Sequence, residues 1–202
     1  LSLFFIDNVD SYYKDNNKDG ELAKLFERIY KQELQEMLLI ENLDPESKYV
    51  YLCSNETVNG IELHQLPKLG IDAPLVIDAS SDFTTKHIDW LGANVGILYA
   101  CASKNIGHPG ATMCIIRKDL LGNSSKFCPG VLCYTTNIKE GNLWNTIATF
   151  NVEVTGIYAK WLLAQGGVQE MERRAIIKSD RLYKLIDQSN GFYSTPITDH
   201  AI

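Results

Sequence analysis

Residues 95–110 read VGILYACASKNIGHPG, an apolar run that ends abruptly at a lysine, Lys104. Short apolar runs bounded by turn residues are typical of buried β-strands, so this stretch predicts a strand with Lys104 at its end. An earlier run at residues 74–83, PLVIDASSDF, has its apolar part ended by Asp78. An amine and a carboxylate at the ends of two predicted strands indicate a functional site rather than a core.

Four apolar segments predict the strands of a central sheet, and they lie at residues 49–54, 74–80, 95–103 and 111–119. We expect these strands to be buried on both faces, as in the sheet of an α/β protein. The intervals between them leave room for few full crossover helices. Two helical stretches follow, at about residues 146–164 and 168–188, and both end in turn residues. The sequence therefore predicts an α/β fold with a central, mostly parallel sheet and flanking helices.

The composition is that of an ordinary globular protein, with 202 residues, 45% hydrophobic and 22% charged. The net charge of -6 and the lack of a Lys/Arg cluster argue against a nucleic-acid partner. No run reaches the roughly 20 apolar residues that a membrane-spanning helix needs. Five cysteines without a CxxC pair favour a reducing, cytoplasmic setting. Because the chain lacks an initial methionine and stops after a turn-like segment, we expect it to be a fragment.

Residues 1–42 differ in character from the rest and are predicted to form a separate N-terminal segment. The motif DNNKDG at residues 15–20 matches the opening of a calcium-binding EF-hand loop, in which alternating oxygen side chains surround the ion. The twelfth position of such a loop supplies a bidentate carboxylate, and here it is Phe26. We therefore interpret the motif as a solvated polar turn and predict no metal site.

Lys104 and Asp78 are chemically complementary. A lysine after a buried strand is most often the chain returning to water, whereas a partly desolvated lysine loses its charge more readily and forms a Schiff base with a carbonyl. An aspartate at a strand end is commonly a turn residue, whereas a carboxylate in an apolar site keeps a heteroaromatic ring nitrogen protonated, as a pyridine cofactor requires. The residues alone leave both interpretations open.

Three further polar residues are candidates for binding the same ligand. Thr57 follows the first predicted strand and offers a hydroxyl group. Asn145 and Thr146 open the first predicted helix, and a helix N-terminus with such side chains binds phosphate. Ordinary N-capping is the alternative interpretation of these two residues.

Several segments resemble the phosphoserine aminotransferases, a family of class V, fold-type I pyridoxal-phosphate enzymes. They are SNETVNGIEL (54–63), VIDASSDF (76–83), ASKNIG (102–107), IIRKDLLG (115–122), LWNTIATF (143–150), QGGVQEMERR (165–174) and IDQSNGFY (186–193). The resemblance runs from about residue 43 to residue 196. It implies that residues 43–202 form the large domain of a fold-type I transferase, incomplete and without the C-terminal small domain.

The resemblance implies a role for each residue near the predicted strand ends. Lys104 would form the Schiff base with pyridoxal 5′-phosphate and then carry a proton between the α-carbon of the substrate and C4′ of the cofactor. Asp78 would pair with the pyridine nitrogen, and Thr57 would bond the phenolic O3′. Ser103 falls where the family usually places a glutamine against the phosphate, which is a departure from the family pattern.

The resemblance also implies a homodimer with shared active sites. Asn145 and Thr146 match residues that reach the phosphate bound in the neighbouring subunit. In the family, glutamate donates its amino group to 3-phosphohydroxypyruvate and phosphoserine is formed, a step of serine biosynthesis. The implied substrates are therefore these two small molecules, with neither nucleic acid nor membrane as a partner.

Parts of the family's site have no counterpart in the region of resemblance. These parts are the glycine-containing phosphate turn, the tryptophan that stacks on the ring, and the His and Arg residues that hold the substrate. A second interpretation therefore remains open, in which the chain is a truncated, weakly active or inactive relative that acts as a dimerising or binding subunit.

Overall fold

The computed structural model describes residues 43–57 and 60–193. The predicted N-terminal segment, residues 1–42, lies outside the described residues, and so does its EF-hand-like motif. The described strands are β1 (Val50–Cys53), β2 (Asn55–Glu56), β3 (Ile61–Glu62), β4 (Leu75–Asp78), β5 (Val95–Cys101) and β6 (Thr112–Ile116). The described helices are α1 (Tyr134–Lys139), α2 (Thr149–Ala164) and α3 (Gly167–Asp187), with short 3-10 turns at Lys118–Leu120 and Gly130–Leu132.

Four of the strands form one sheet in the order β1-β4-β5-β6. Strand β4 pairs in parallel with both β1 and β5, and β6 is antiparallel to β5. Strands β2 and β3 form a separate antiparallel hairpin in the connection between β1 and β4. The four predicted strands and the mostly parallel α/β sheet are confirmed, with each strand shorter than predicted. The carboxyl ends of β1, β4 and β5 lie at the same edge of the sheet.

One face of the sheet is buried and the other is partly open. Leu75, Ile77 and Leu98 are at most 1% exposed and lie on the buried face. The alternate positions of β4 and β5, among them Asp78 and Tyr99, are only half-buried. The prediction of burial on both faces is therefore wrong. The open face carries polar side chains such as Asp78 and Tyr99. They were not recognised as a reason for partial exposure because most residues of these runs are apolar.

Strand β5 starts at a very close contact. A β-carbon added to Gly96 would lie 2.6 Å from Cβ of Pro74 and 2.7 Å from Cδ1 of Leu120. Real side chains do not approach this closely, so only glycine fits between the residue before β4 and the turn after β6. The adjoining core contains Leu75, Val95 and Leu98.

Helices α2 and α3 confirm the two predicted helical stretches, but α2 begins later than predicted. Its N-cap is Ala148, which provides no side-chain capping bond. Asn145 and Thr146 therefore lie in the loop before the helix, and the prediction that they open it is wrong. Ala148 has a ψ of 81°, outside the helical range, so the helix starts only at Thr149.

Within the described residues, no helix is long and apolar enough to cross a membrane.

A buried cluster of charged residues lies beside the end of β4. Lys86 Nζ is 2.8 Å from Asp82 Oδ2 and 2.9 Å from Glu62 Oε1. The Ser54 hydroxyl, itself buried, donates to Asp82 Oδ1 at 2.6 Å. Only 11% of the Lys86 side chain and 5% of the Asp82 side chain are exposed. The cluster joins the residue after β1, the turn after β4 and the hairpin strand β3.

Replacing Leu98 with alanine tests the core. Leu98 is fully buried, so Leu98→Ala removes packed methyl groups and leaves a cavity, and we expect the free energy of unfolding to fall by about 2 to 5 kcal/mol. The measurement is urea unfolding followed by circular dichroism. The matched control is Leu91→Ala, because Leu91 is 93% exposed. Equal losses in the two variants would contradict this description of the core.

Replacing Asp82 with alanine tests the charged cluster. The change takes the buried partner away from the Lys86 ammonium and an acceptor away from the Ser54 hydroxyl, so we expect it to destabilise the fold by about 3 to 5 kcal/mol. Asp119→Ala is the control, because it breaks an exposed ion pair with Arg117 and such pairs contribute at most about 1 kcal/mol. A loss from Asp82→Ala no larger than that of the control, measured by the same unfolding experiment, would refute a structural role for the cluster.

Candidate active site

The parallel pairing of β4 and β5 brings the two principal candidate residues to one edge of the sheet. Asp78 is the last residue of β4 and lies opposite Tyr99 in β5. Lys104 follows the end of β5 at Cys101. The backbone N–H of Cys101 donates to the Ser80 hydroxyl at 3.1 Å and so joins the two strand ends. The carboxylate and the amine are thus carried by neighbouring strands and by the loops that leave the same edge.

Asp78 is held at both its main chain and its side chain. Its Oδ1 accepts a hydrogen bond from the backbone N–H of Ser80 at 2.9 Å, and its Oδ2 accepts one from the Tyr99 hydroxyl at 3.0 Å. Its carbonyl oxygen accepts from the backbone N–H of Ser54 at 3.0 Å. A carboxylate oxygen has two lone pairs, so each oxygen keeps one available for a further donor.

The loop that carries Lys104 is fixed on both of its sides. Asn105 Nδ2 donates to the carbonyl oxygen of Phe83 at 2.6 Å, which joins the loop to the turn after β4. A β-carbon at Gly107 would lie 2.8 Å from Thr155 Oγ1, so the loop packs closely against α2. Lys104 itself is exposed. Burial by the described residues therefore does not supply the desolvation that the sequence-based hypothesis assumed for its amine.

Ser103 and Thr57 lie on different segments near this edge. Ser103 is half-buried, and its hydroxyl is 3.3 Å from Sγ of Cys101. Hydrogen bonding with Ser103 lowers the pKa of the Cys101 thiol. Thr57 is exposed and follows β2, on the way to β3. The roles of both residues toward a ligand stay predictions.

Asn145 and Thr146 lie elsewhere on the surface, in the loop before α2. Both are exposed, and Asn145 Nδ2 donates to the Thr146 carbonyl oxygen at 3.2 Å. The preceding Trp144 packs over Gly130, where an added β-carbon would lie 2.7 Å from the indole ring. The loop lines a surface pocket. The structure does not join this pair to Lys104 or Asp78 by any hydrogen bond within the described residues.

Three residues around Asp78 were not predicted. The Tyr99 hydroxyl donates to its carboxylate, the Ser54 N–H donates to its carbonyl oxygen, and Asp82 accepts from the Ser54 hydroxyl. Asp82 could have been recognised from the sequence, because it lies four residues before Lys86 and oppositely charged residues at this spacing can form an ion pair. Tyr99 was concealed within an apolar run. Its proximity to Asp78 depends on the strand register.

The donor and acceptor groups at this edge fit a pyridoxal-type cofactor. The Asp78 carboxylate is half-buried, is oriented by two hydrogen bonds and retains lone pairs for a ring N–H. Lys104 is a primary amine at the same edge. No group of three or more His, Cys, Asp or Glu side chains that could bind a metal is present among the residues that the structure describes.

Comparison with known proteins gives the same family by sequence and by structure. Phosphoserine aminotransferase from Pseudomonas putida is 42% identical over 160 residues, which cover 79% of this chain and 43% of that protein. The enzyme of the same name from Drosophila melanogaster is 43% identical over 155 residues, or 77% of this chain and 42% of that protein. The chain thus spans less than half the length of these relatives.

Solved structures show the same fold. Phosphoserine aminotransferase from Bacillus circulans subsp. alkalophilus matches with a TM-score of 0.70 and 35% identity, over 74% of this chain and 41% of that one. The PLP-bound phosphoserine aminotransferase from Trichomonas vaginalis matches with a TM-score of 0.67 and 37% identity, over 73% and 40%. The family model for class-V aminotransferases matches residues 18–201. These similarities establish that the chain belongs to the class-V aminotransferase family, with the fold-type I architecture of its structural neighbours.

Proposed function

We propose that this chain carries out pyridoxal-phosphate-dependent transfer of an amino group between glutamate and 3-phosphohydroxypyruvate, giving phosphoserine for serine biosynthesis. The observation that carries the proposal is the Asp78 carboxylate, held by two donors at the edge of the sheet from which the Lys104 loop leaves. The substrate pair is supported by the identities of 42% and 43% to phosphoserine aminotransferases.

The chemistry is divided between two residues. When bound, pyridoxal phosphate supplies an electron sink for the carbanion that forms at the α-carbon of an amino acid. Lys104 provides the amine that binds the aldehyde carbon and later moves the proton at the substrate's α-carbon. Asp78 accepts a hydrogen bond from the ring N–H and keeps that nitrogen protonated.

Thr57 and Ser103 hold the cofactor around this pair. The Thr57 hydroxyl is assigned to the phenolic oxygen of the ring, and the Ser103 hydroxyl to the phosphate. Ser103 directly precedes Lys104, so the phosphate contact and the reactive amine belong to one loop. The serine side chain is shorter than the glutamine usual in the family, and a bridging water extends its reach.

A second copy of the chain completes the site in this proposal. Asn145 and Thr146 are assigned to the phosphate bound by the partner subunit. The surface beside them supports an interface, because Trp144 and Phe150 are 47% and 67% exposed. Apolar exposure of this extent is typical of interaction surfaces.

The free state of all five cysteines supports a reducing, cytoplasmic location.

The alternative function is that of a weakly active or inactive relative that dimerises with or binds another protein. It is favoured by the exposed position of Lys104. The two functions differ in whether pyridoxal phosphate becomes covalently attached.

Replacing Lys104 with alanine tests the covalent role of its amine. The parent chain mixed with pyridoxal phosphate is expected to turn yellow, with visible absorbance that resists gel filtration and is lost in Lys104→Ala. Lys126→Ala is the matched control, because Lys126 is another exposed lysine away from the strand ends. Absorbance that survives in Lys104→Ala would refute the assignment.

Replacing Asp78 with alanine tests the role of the carboxylate in the chemistry. We expect Asp78→Ala to keep the yellow colour, because Lys104 is intact, and to slow the half-reaction with glutamate by about 100-fold or more, the scale for loss of one preorganised electrostatic partner. The measurement is the decay of the visible absorbance after glutamate is added. An unchanged decay rate would exclude Asp78 as the partner of the ring nitrogen.

A further inference from the structure

Two tyrosines form a hydrogen-bonded chain that ends on Asp78. The Tyr99 hydroxyl oxygen lies 3.0 Å from Asp78 Oδ2 and 3.2 Å from the Tyr51 hydroxyl oxygen. The strand register explains this arrangement. Asp78 in β4 lies opposite Tyr99 in β5 and opposite Cys53 in β1. Tyr51 is two positions before Cys53 and therefore projects from the same face. One side chain from each of the three parallel strands meets there.

The direction of both hydrogen bonds follows from the groups involved. An ionised carboxylate only accepts hydrogen bonds, so the Tyr99 hydroxyl donates its single proton to Asp78. In its contact with Tyr51, the Tyr99 oxygen is then the acceptor and the Tyr51 hydroxyl is the donor. Tyr51 is 53% exposed. The chain of donors thus runs from the surface inward to the carboxylate.

Tyr99 remains a neutral phenol under all ordinary working conditions. Ionising it would place a second negative charge 3.0 Å from the Asp78 carboxylate and would leave Oδ2 without this donor. A phenol that keeps its proton is a permanent donor. The contact with Asp78 therefore stays in place at any pH at which the carboxylate is ionised.

The Tyr99 hydroxyl fixes the plane of the carboxylate. Rotation about the Cβ–Cγ bond of aspartate has a broad energy minimum, so a single contact does not define it. The backbone N–H of Ser80 anchors Oδ1, and Tyr99 anchors Oδ2 from the neighbouring strand. With both anchors the remaining lone pairs have a fixed direction. Without Tyr99, the carboxylate would be held only through its own turn.

We propose that Tyr99, supported by Tyr51, is a positioning residue that orients the Asp78 carboxylate toward a ring N–H, and that it strengthens cofactor binding only through the ring nitrogen. The inference rests on the proposed function, because this orientation matters only for a cofactor with a nitrogen in its ring. The Ser54 N–H fixes the main chain of Asp78, and the Ser54 hydroxyl donates to Asp82 of the charged cluster, whereas the two tyrosines fix the Asp78 side chain.

Equilibrium binding to two probes tests this role. The 202-residue chain and its variants are titrated with pyridoxal phosphate and with its 1-deaza analogue, in which a C–H group replaces the ring nitrogen, and both dissociation constants are measured by fluorescence. We expect Tyr99→Phe to weaken binding of pyridoxal phosphate about tenfold, the lower range for loss of a hydrogen bond to a charged group. Binding of the 1-deaza analogue should be unchanged. Tyr51→Phe should also weaken binding of pyridoxal phosphate, but by a smaller factor than Tyr99→Phe.

Two further variants separate positioning from packing. Tyr49→Phe is the control, because Tyr49 is 61% exposed and lies just before β1, and it should leave both dissociation constants unchanged. In an Asp78→Asn background, Tyr99→Phe should weaken binding of pyridoxal phosphate much less than it does in the parent chain, because the two residues act on one interaction.

The possible results distinguish this inference from the proposed function. Equal weakening of both probes by Tyr99→Phe would show that the hydroxyl only supports the fold, and would overturn the inference while the proposed function stands. Binding of neither probe by the parent chain would overturn the proposed function and the inference with it.

Discussion

The parallel pairing of β4 with both of its neighbours is the interaction on which the rest of the structure depends. Because β1 and β5 run in the same direction as β4, their carboxyl ends coincide at one edge. Chain segments distant in sequence, near Ser54, Asp78 and Lys104, then leave the sheet side by side. An antiparallel neighbour at β5 would place its carboxyl end, and Lys104 with it, at the opposite edge.

The sheet edge is organised in two levels around Asp78. The backbone is held by the N–H of Ser54, whose hydroxyl in turn donates to the buried Asp82. The side chain is held by Ser80 and Tyr99. The first level is made of groups that are nearly inaccessible to solvent, and the second faces the open side of the sheet. Stability and orientation are therefore supplied by different residues, and a substitution in one level need not damage the other.

Much of this arrangement could be predicted from the sequence, and the part that could not has a common cause. The four strands and two long helices were recognisable because their apolar runs and terminating glycines are local signals. The pairing of Asp78 with Tyr99 depends on register, which no local pattern encodes. The start of α2 was misplaced because Asn145 and Thr146 are residues that commonly precede a helix, whereas the backbone enters helical geometry only after Ala148. The separate segment before residue 43 stays a prediction, and so do the ligand roles of the candidate site residues, which are Lys104, Asp78, Thr57, Ser103, Asn145 and Thr146.

The two ends of strand β5 make different kinds of contact. Near the carboxyl end of β5, the Tyr99 hydroxyl donates to Asp78. Near its start, Gly96 has no side chain, and Pro74 and Leu120 occupy the space that a β-carbon would need. A side chain at position 96 would have to displace Pro74, which directly precedes β4, and so would disturb the alignment of β4 with β5. A genetic screen for loss of function would therefore return position 96, although it contacts neither Asp78 nor Lys104. Intolerance to substitution at this glycine reports on the alignment of the strands, and it should not be taken as a sign of chemistry.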